Sequence, residues 1–197
     1  MLTFKNYNIA DWFSFYRIFA APFLLGLIWF DQRIIFAWLL SVSYATDAID
    51  GFLARKLKIT SARGSQLDSF GDQITLIIGL VGLFYFETDF IKTNLTLVLI
   101  ALIPYIIQML IAYFKYGKAT AFHTYLAKLS AVIQSVFVLW ALFFSPEYSL
   151  FYTMLIIGLV ETFEEITLIF MYDNWASDVK GIYWAYRDKR QMKKPAE

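Results

Sequence analysis

The sequence predicts an all-α, polytopic integral membrane protein, a bundle of six transmembrane helices with both termini in the cytoplasm. Three observations lead there. Of its 197 residues 59% are hydrophobic and only 17% charged, against about 45–50% and about 25% in soluble domains, and the mean hydropathy is +0.57. Apolar stretches close to the ~20 residues that cross ~30 Å of hydrocarbon as a helix recur along the chain. Lys and Arg collect in alternate connections between those stretches.

The first eleven residues set Phe4, Tyr7 and Ile9 among polar neighbours, which fits either an amphipathic segment in the cytoplasmic interface or a plain terminus. They lack the basic start, apolar block and small-residue cleavage site of a secretory signal, so the amino terminus reads as retained. Six spans follow, near Trp12 to Phe30, Ile34 to Ala54, Asp68 to Phe86, Leu95 to Phe114, Phe122 to Phe144 and Leu150 to Tyr172. The runs show no period-two alternation, and lipid leaves unpaired backbone groups without a partner, so helices rather than barrel strands are expected. Short connections favour antiparallel neighbours. The connection after the second span carries Arg55, Lys56, Lys58 and Arg63, and the one after the fourth carries Lys115 and Lys118. The opposite connections hold only Arg33 and Lys92, which places both termini and the basic tail in the cytoplasm. Residues 1–175 thus read as one transmembrane domain and 176–197 as a basic cytoplasmic tail. In that tail Trp184, Tyr186, Arg187, Lys189 and Arg190 suit an anionic membrane surface or simple solvation equally.

Seventeen Lys and Arg against sixteen Asp and Glu leave no basic surplus that would mark nucleic acid as a partner. With no Cys there is no disulfide, thiolate metal site or cysteine nucleophile, and the single His123 cannot build a histidine-rich site. Any metal must be held by oxygen.

Charges inside a membrane span cost about 2.5–3.5 kcal/mol even on a lenient scale, which makes ionisable residues there functional candidates. Asp47 and Asp50 lie three apart near the end of the second span; Asp68 and Asp72 lie four apart at the start of the third. Both spacings put the two side chains on one helix face. If the helices run antiparallel, four carboxylates converge, and such a cluster calls for hard divalent ions such as Mg²⁺, Mn²⁺ or Ca²⁺. Gly51 leaves room for a ligand to approach the helix, and Arg55 offers a planar fork suited to phosphate oxygens. A bland alternative pairs each aspartate with a nearby Arg or Lys at a wet interface, but it does not explain all four at these spacings together with Gly51 and Arg55.

The stretch from Asp47 to Asp72, D-A-I-D-G-F-L-A-R, eight residues, then G-S-Q-L-D-S-F-G-D, resembles the signature D-x2-D-G-x2-A-R-x8-G-x3-D-x3-D of the CDP-alcohol phosphotransferases. Every fixed position is present: Asp47, Asp50, Gly51, Ala54, Arg55, Gly64, Asp68 and Asp72. The resemblance implies a six-helix enzyme of phospholipid synthesis in the cytoplasmic membrane. Such an enzyme moves a substituted phosphate from a CDP-alcohol, commonly CDP-diacylglycerol, to an acceptor alcohol and releases CMP at the cytoplasmic side. It further implies two divalent ions, Mg²⁺ or Mn²⁺, on Asp47, Asp50, Asp68 and Asp72, with Asp72 the general base. Gly51, Ala54, Arg55, Ser61 and Gly64 would hold the CDP moiety, and a homodimer is implied. Relatives often carry Asn-x-x-Thr-x-x-Arg at the first span; here Ser14 and Arg17 fit that pattern, while Asp11 replaces Asn. Ser14 therefore joins the CDP-binding set.

Four weaker features stay open. Lys128, with Arg17, would bind the anionic head of the acceptor or a lipid phosphate, or Lys128 snorkels to the interface or pairs with an acid. His123 reads as an interfacial hydrogen-bonding residue. Glu161, Glu164 and Glu165 either line an acceptor pocket or serve as counter-ions for Lys128 and Arg17. The alternative function is a divalent-cation transporter or channel, since ion pathways are also built from clustered aspartates. It predicts acids spread through the full depth, whereas these gather at one end.

Overall fold

A computed structural model describes residues 9–57 and 62–192; within them the side chains at 9–11, 47–48, 50–57, 62–66, 68–69 and 189–192 lie outside the description. The described residues form eight helices: α1 (Ile9–Trp29), α2 (Arg33–Leu57), α3 (Ala62–Phe86), α4 (Thr88–Thr93), α5 (Leu95–Tyr116), α6 (Tyr125–Phe143), α7 (Tyr148–Met171) and α8 (Ile182–Met192). Among the described residues no strand forms, and one isolated parallel bridge joins Ala121 to Ser177. Each of the six apolar stretches becomes one long helix, and the short α4 and α8 are additional.

Three helical segments are long and apolar enough to cross a membrane: Trp12–Trp29, Leu95–Tyr116 and Tyr125–Phe143. The apolar parts of α2 and α3, Arg33–Thr46 and Phe70–Phe86, are shorter. In α7 the length suffices, but Glu161, Glu164 and Glu165 interrupt the apolar run.

The chain divides into two compact units. The first contains α1 to α4 and the end of α6 from Ser135 on; the second contains α5, the start of α6 up to Gln134, α7 and α8.

In the first unit α1 packs on both α2 and α3, and α2 packs on α3. Ala20, Leu24 and Ile28, one turn apart on α1, are buried, while Phe19 and Phe23 on the other face stay exposed. That is the stripe expected of a helix with one protein-facing side. The α1–α2 turn closes as a Schellman motif: Gln32 N–H donates to Leu27 C=O at 2.8 Å, Asp31 N–H to Ile28 C=O at 3.1 Å, and Asp31 takes φ 55°. Aspartate is among the few side chains that tolerate this left-handed conformation.

Glycines set the distance between α2 and α3. A Cβ at Gly82 would run into the ring of Phe36, and one at Gly79 would stand 2.8 Å from the Tyr44 hydroxyl and 3.7 Å from Leu40 Cδ2. Phe36 is itself 0% exposed. Later positions on α2 thus meet earlier positions on α3, so the pair is antiparallel. Small residues permit this close approach where lipid offers no hydrophobic drive.

At the far end of the same unit Arg33 opens α2. It pairs with Glu87 and donates to the C-terminal carbonyls of α6, Nε to Leu142 at 2.8 Å and Nη2 to Ala141 at 2.6 Å. One cation thereby satisfies carbonyls that the last helical turn leaves without partners and complements the negative end of the helix dipole.

In the second unit α5 lies against α7, and α7 against α8. Ala112, Phe122, Leu168, Ile169, Val179 and Ala185 form its core. Helix α5 ends on Gly117 in the left-handed region, φ 69°. The segment after it then pairs with the segment after α7. Asp178 N–H donates to Ala121 C=O at 3.2 Å, Val179 N–H to Phe122 C=O at 2.7 Å, and Trp175 Nε1 to Ala119 C=O at 2.9 Å. Lys115 Nζ and the Tyr116 hydroxyl donate to Ile169 C=O at the end of α7.

Gly82→Ala is expected to lower stability by about 1–3 kcal/mol, the usual cost of overpacking. Gly26→Ala, where an added Cβ meets nothing within 4 Å, is expected to be neutral or to gain up to about 1 kcal/mol. Thermal unfolding of the detergent-solubilised protein measures both. Equal melting temperatures for the two variants would contradict the close α2–α3 approach.

Candidate functional site

The acidic positions sit where α2 ends and α3 begins: Asp47, Asp50, Gly51, Ala54 and Arg55 on the last turns of α2, Gly64, Asp68 and Asp72 on the first turns of α3. Phe36 lies against Gly82, and Leu40 against Gly79. Extended along the two helices, this antiparallel register sets Asp47 about level with Asp72, and Asp50 about level with Asp68. The side chains of Asp47, Asp50, Ala54, Arg55 and Asp68, and the surroundings of Gly51 and Gly64, lie outside the description, and Ser61 lies outside the described residues altogether.

Asp72 is described, and 39% of its side chain is exposed. Its Oδ1 forms an ion pair with Nη1 of Arg17, which reaches across from α1 and is only 1% exposed. The Arg17 Nη2 also donates to Ser14 Oγ at 3.3 Å, one turn earlier on the same helix. The guanidinium lies over the α3 backbone at Gly71, where a Cβ would stand 3.2 Å from Nε and 3.4 Å from Cζ. Ser14 is buried with it. Two buried residues expected to touch ligands thus form one polar group with the partly exposed Asp72.

Lys128 belongs to the second unit, on the first turn of α6, with Nζ 5.7 Å from the centre of the Tyr125 ring. Helix α6 is capped there by Thr124, whose Oγ1 accepts from Ala127 N–H at 3.0 Å. The same hydroxyl donates to Glu164 Oε2 at 2.7 Å, and Glu164 Oε1 accepts from Ile182 N–H, the first residue of α8, at 3.4 Å. Glu165 is 9% exposed, and its Oε2 accepts from Gln108 Nε2 at 2.6 Å and from Thr120 Oγ1 at 2.7 Å.

These glutamates were expected to line a pocket or to serve as counter-ions. The bonds described for Glu164 and Glu165 come from neutral hydroxyl, amide and backbone N–H donors. Gln108, Thr120 and Thr124 were not singled out from the sequence. Gln108 carried the one available signal, an amide inside the strongly apolar run of α5. Gly71 gave no signal, since its use depends on a side chain fifty-four positions away.

Among the described side chains no group of three or more Asp, Glu or His gathers as metal ligands. For the aspartates the donor set is the available criterion: oxygen only, two carboxylates on each of two adjoining helices at matching levels, with Asp72 open to its surroundings. That chemistry fits a hard divalent cation.

Compared with known proteins, the chain matches the family described as CDP-alcohol phosphatidyltransferase over residues 7–171. It is 28% identical over 185 residues to a CDP-diacylglycerol--glycerol-3-phosphate 3-phosphatidyltransferase of Wigglesworthia glossinidia brevipalpis, covering 92% of this chain and 96% of the relative. A protein of the same name from Yersinia enterocolitica is 34% identical over 79 residues, 38% of this chain and 42% of the relative. A chloroplastic relative from Oryza sativa subsp. japonica is 33% identical over 88 residues, 45% of this chain and 26% of the relative. No solved structure matches.

Glu164→Ala removes the acceptor for both Thr124 and the start of α8, and leaving buried donors unsatisfied costs about 1–3 kcal/mol. Limited proteolysis is expected to cut between residues 172 and 182 faster in this variant than in the native chain. Equal cleavage rates would show that Glu164 does not hold α8.

Proposed function

Because the chain belongs to the CDP-alcohol phosphatidyltransferase family, we propose that it transfers the phosphatidyl group of CDP-diacylglycerol to glycerol 3-phosphate and releases CMP. The acceptor and donor follow the names of relatives, one of which aligns over nearly its full length. The observation that carries the chemistry is the α2–α3 register, which supports a meeting of the two aspartate pairs. The family match disfavours the cation-channel alternative, and the reaction lies in phospholipid synthesis.

In this reading an acceptor hydroxyl attacks the lipid-bearing phosphorus of the donor, the bond from that phosphorus to the bridging oxygen breaks, and CMP departs with that oxygen. Asp72 takes the hydroxyl proton. Asp47, Asp50, Asp68 and Asp72 would hold two divalent ions, Mg²⁺ or Mn²⁺. When bound, such ions supply charge neutralisation at the attacking and leaving oxygens. The remaining work is positioning, as in other phosphoryl transfers. Gly51 admits the nucleotide close to the helix, Arg55 forks onto a phosphate, and Ala54, Ser61 and Gly64 complete the CDP cradle.

The membrane arrangement in this reading has six spans, with both termini and the aspartates at the cytoplasmic side, as the distribution of Lys and Arg supports. A nucleotide then arrives from water while acyl chains stay in lipid. The two bilayer-facing requirements meet at one depth.

Purified protein with Mg²⁺ or Mn²⁺, CDP-diacylglycerol and glycerol 3-phosphate is expected to release CMP and form a phosphatidylglycerol phosphate, followed by mass spectrometry against an acceptor panel. Chelation by EDTA is expected to stop the reaction, and Asp72→Asn to slow it about 10²–10⁴-fold, the range for loss of a general base. Full activity of that variant removes Asp72 from the base role; CMP release indifferent to EDTA removes the metals.

A further inference from the structure

We infer that Arg17 is a positioning residue for Asp72, itself held by Ser14 and by the space left at Gly71. The inference rests on the functional reading above and adds to it the device that aims the base.

Arg17 lies eight residues into a helix long and apolar enough to span a membrane, where a cation needs a partner. At 1% exposure it is closed off from any soluble phosphate. Its contacts run into the protein: Nη1 to Asp72 Oδ1, Nη2 to Ser14 Oγ, and the flat of the guanidinium to the backbone at Gly71. This burial favours a role inside the protein over the phosphate contact expected from the sequence.

The contacts come from three directions and fix a planar group. A charge-assisted bond from a fixed guanidinium in turn restricts the rotamer of the carboxylate it meets. Gly71 is the residue immediately before Asp72, so the cation rests against the backbone that carries the base. Any side chain at 71 displaces the fork from the carboxylate it orients. The inference separates Arg17 from ligand binding: it acts on the rate of transfer through Asp72 and leaves substrate affinity alone.

Steady-state kinetics of the detergent-solubilised full chain, with CDP-diacylglycerol and glycerol 3-phosphate varied in turn, test this in Arg17→Gln, Arg17→Lys and Gly71→Ala. A misplacement of about 1 Å costs roughly 10²-fold, and Arg17→Gln is expected to lose about that much kcat. Both KM values are expected to stay within about threefold, as for a group that acts after binding. Arg17→Lys restores part of kcat, since charge returns without the fork. Gly71→Ala, which needs the guanidinium to give by a few tenths of an ångström, lowers kcat in the same pattern.

A rise in KM for glycerol 3-phosphate with kcat kept would make Arg17 an anion-binding residue and overturn the inference. So would wild-type kcat in Arg17→Gln. If Arg17→Gln does not fold, Gly71→Ala decides alone, and its full activity overturns the inference. Wild-type protein that releases no CMP defeats the functional reading and this inference with it; active wild type with variants equal to it defeats only the inference.

Discussion

The close antiparallel contact of α2 with α3 is the constraint on which the rest depends. Gly79 and Gly82 offer no side chain to hold the helices apart, so Phe36 and Leu40 reach the α3 surface. In water such a contact would gain from expelling solvent, but in lipid it depends on fit. The same contact fixes the register. Because an α-helix rises by about 1.5 Å per residue, a register set in the middle of the pair carries through to its end. There it brings a D-x-x-D pair on one helix level with a D-x-x-x-D pair on the other. The levels of these backbone positions thus follow from glycines about two to four turns away.

Charge in a low-dielectric setting needs an answer at each place it occurs, and this chain uses three different ones. Arg17 is answered by an opposite charge on a neighbouring helix, Asp72. Arg33 is answered by Glu87 together with carbonyl oxygens at the end of α6. Among the described residues Glu164 and Glu165 are answered by dipoles, from Thr124, Thr120, Gln108 and the start of α8. The first is tied to the proposed chemistry. The second accounts for a cation in a connection otherwise poor in basic residues, because Arg33 serves a helix end. The third secures the pairing of the segments that follow α5 and α7.

Much of this was legible in the sequence. The apolar stretches marked all six long helices, since helix length follows from backbone geometry and hydropathy. The D-x-x-D-G to D-x-x-x-D run marked the family, because eight fixed positions at fixed gaps leave little to chance. Partner choice was less legible. Ser14 and Arg17 were found as candidates but not as a pair bound to Asp72, since the contact joins positions fifty-five residues apart through a glycine with no motif of its own. The glutamates of α7 were legible as pocket-lining groups or counter-ions, but their donors Gln108 and Thr120 come from other elements and carry no pattern that ties them to Glu165. Helix α8 merged into the basic tail because, among its described side chains, only Ala185 is fully buried, with Ile182 partly buried against the same core.

The central claim is that acids from two helices share divalent cations. Electron paramagnetic resonance of Mn²⁺ titrated into the detergent-solubilised protein with CDP-diacylglycerol tests it, with Asp47→Asn on α2 and Asp68→Asn on α3 compared against the native chain. Both variants are expected to bind Mn²⁺ at least about tenfold more weakly, a loss already seen when mere supporting groups of metal sites are removed. Native affinity retained in either variant would contradict a site built from both helices.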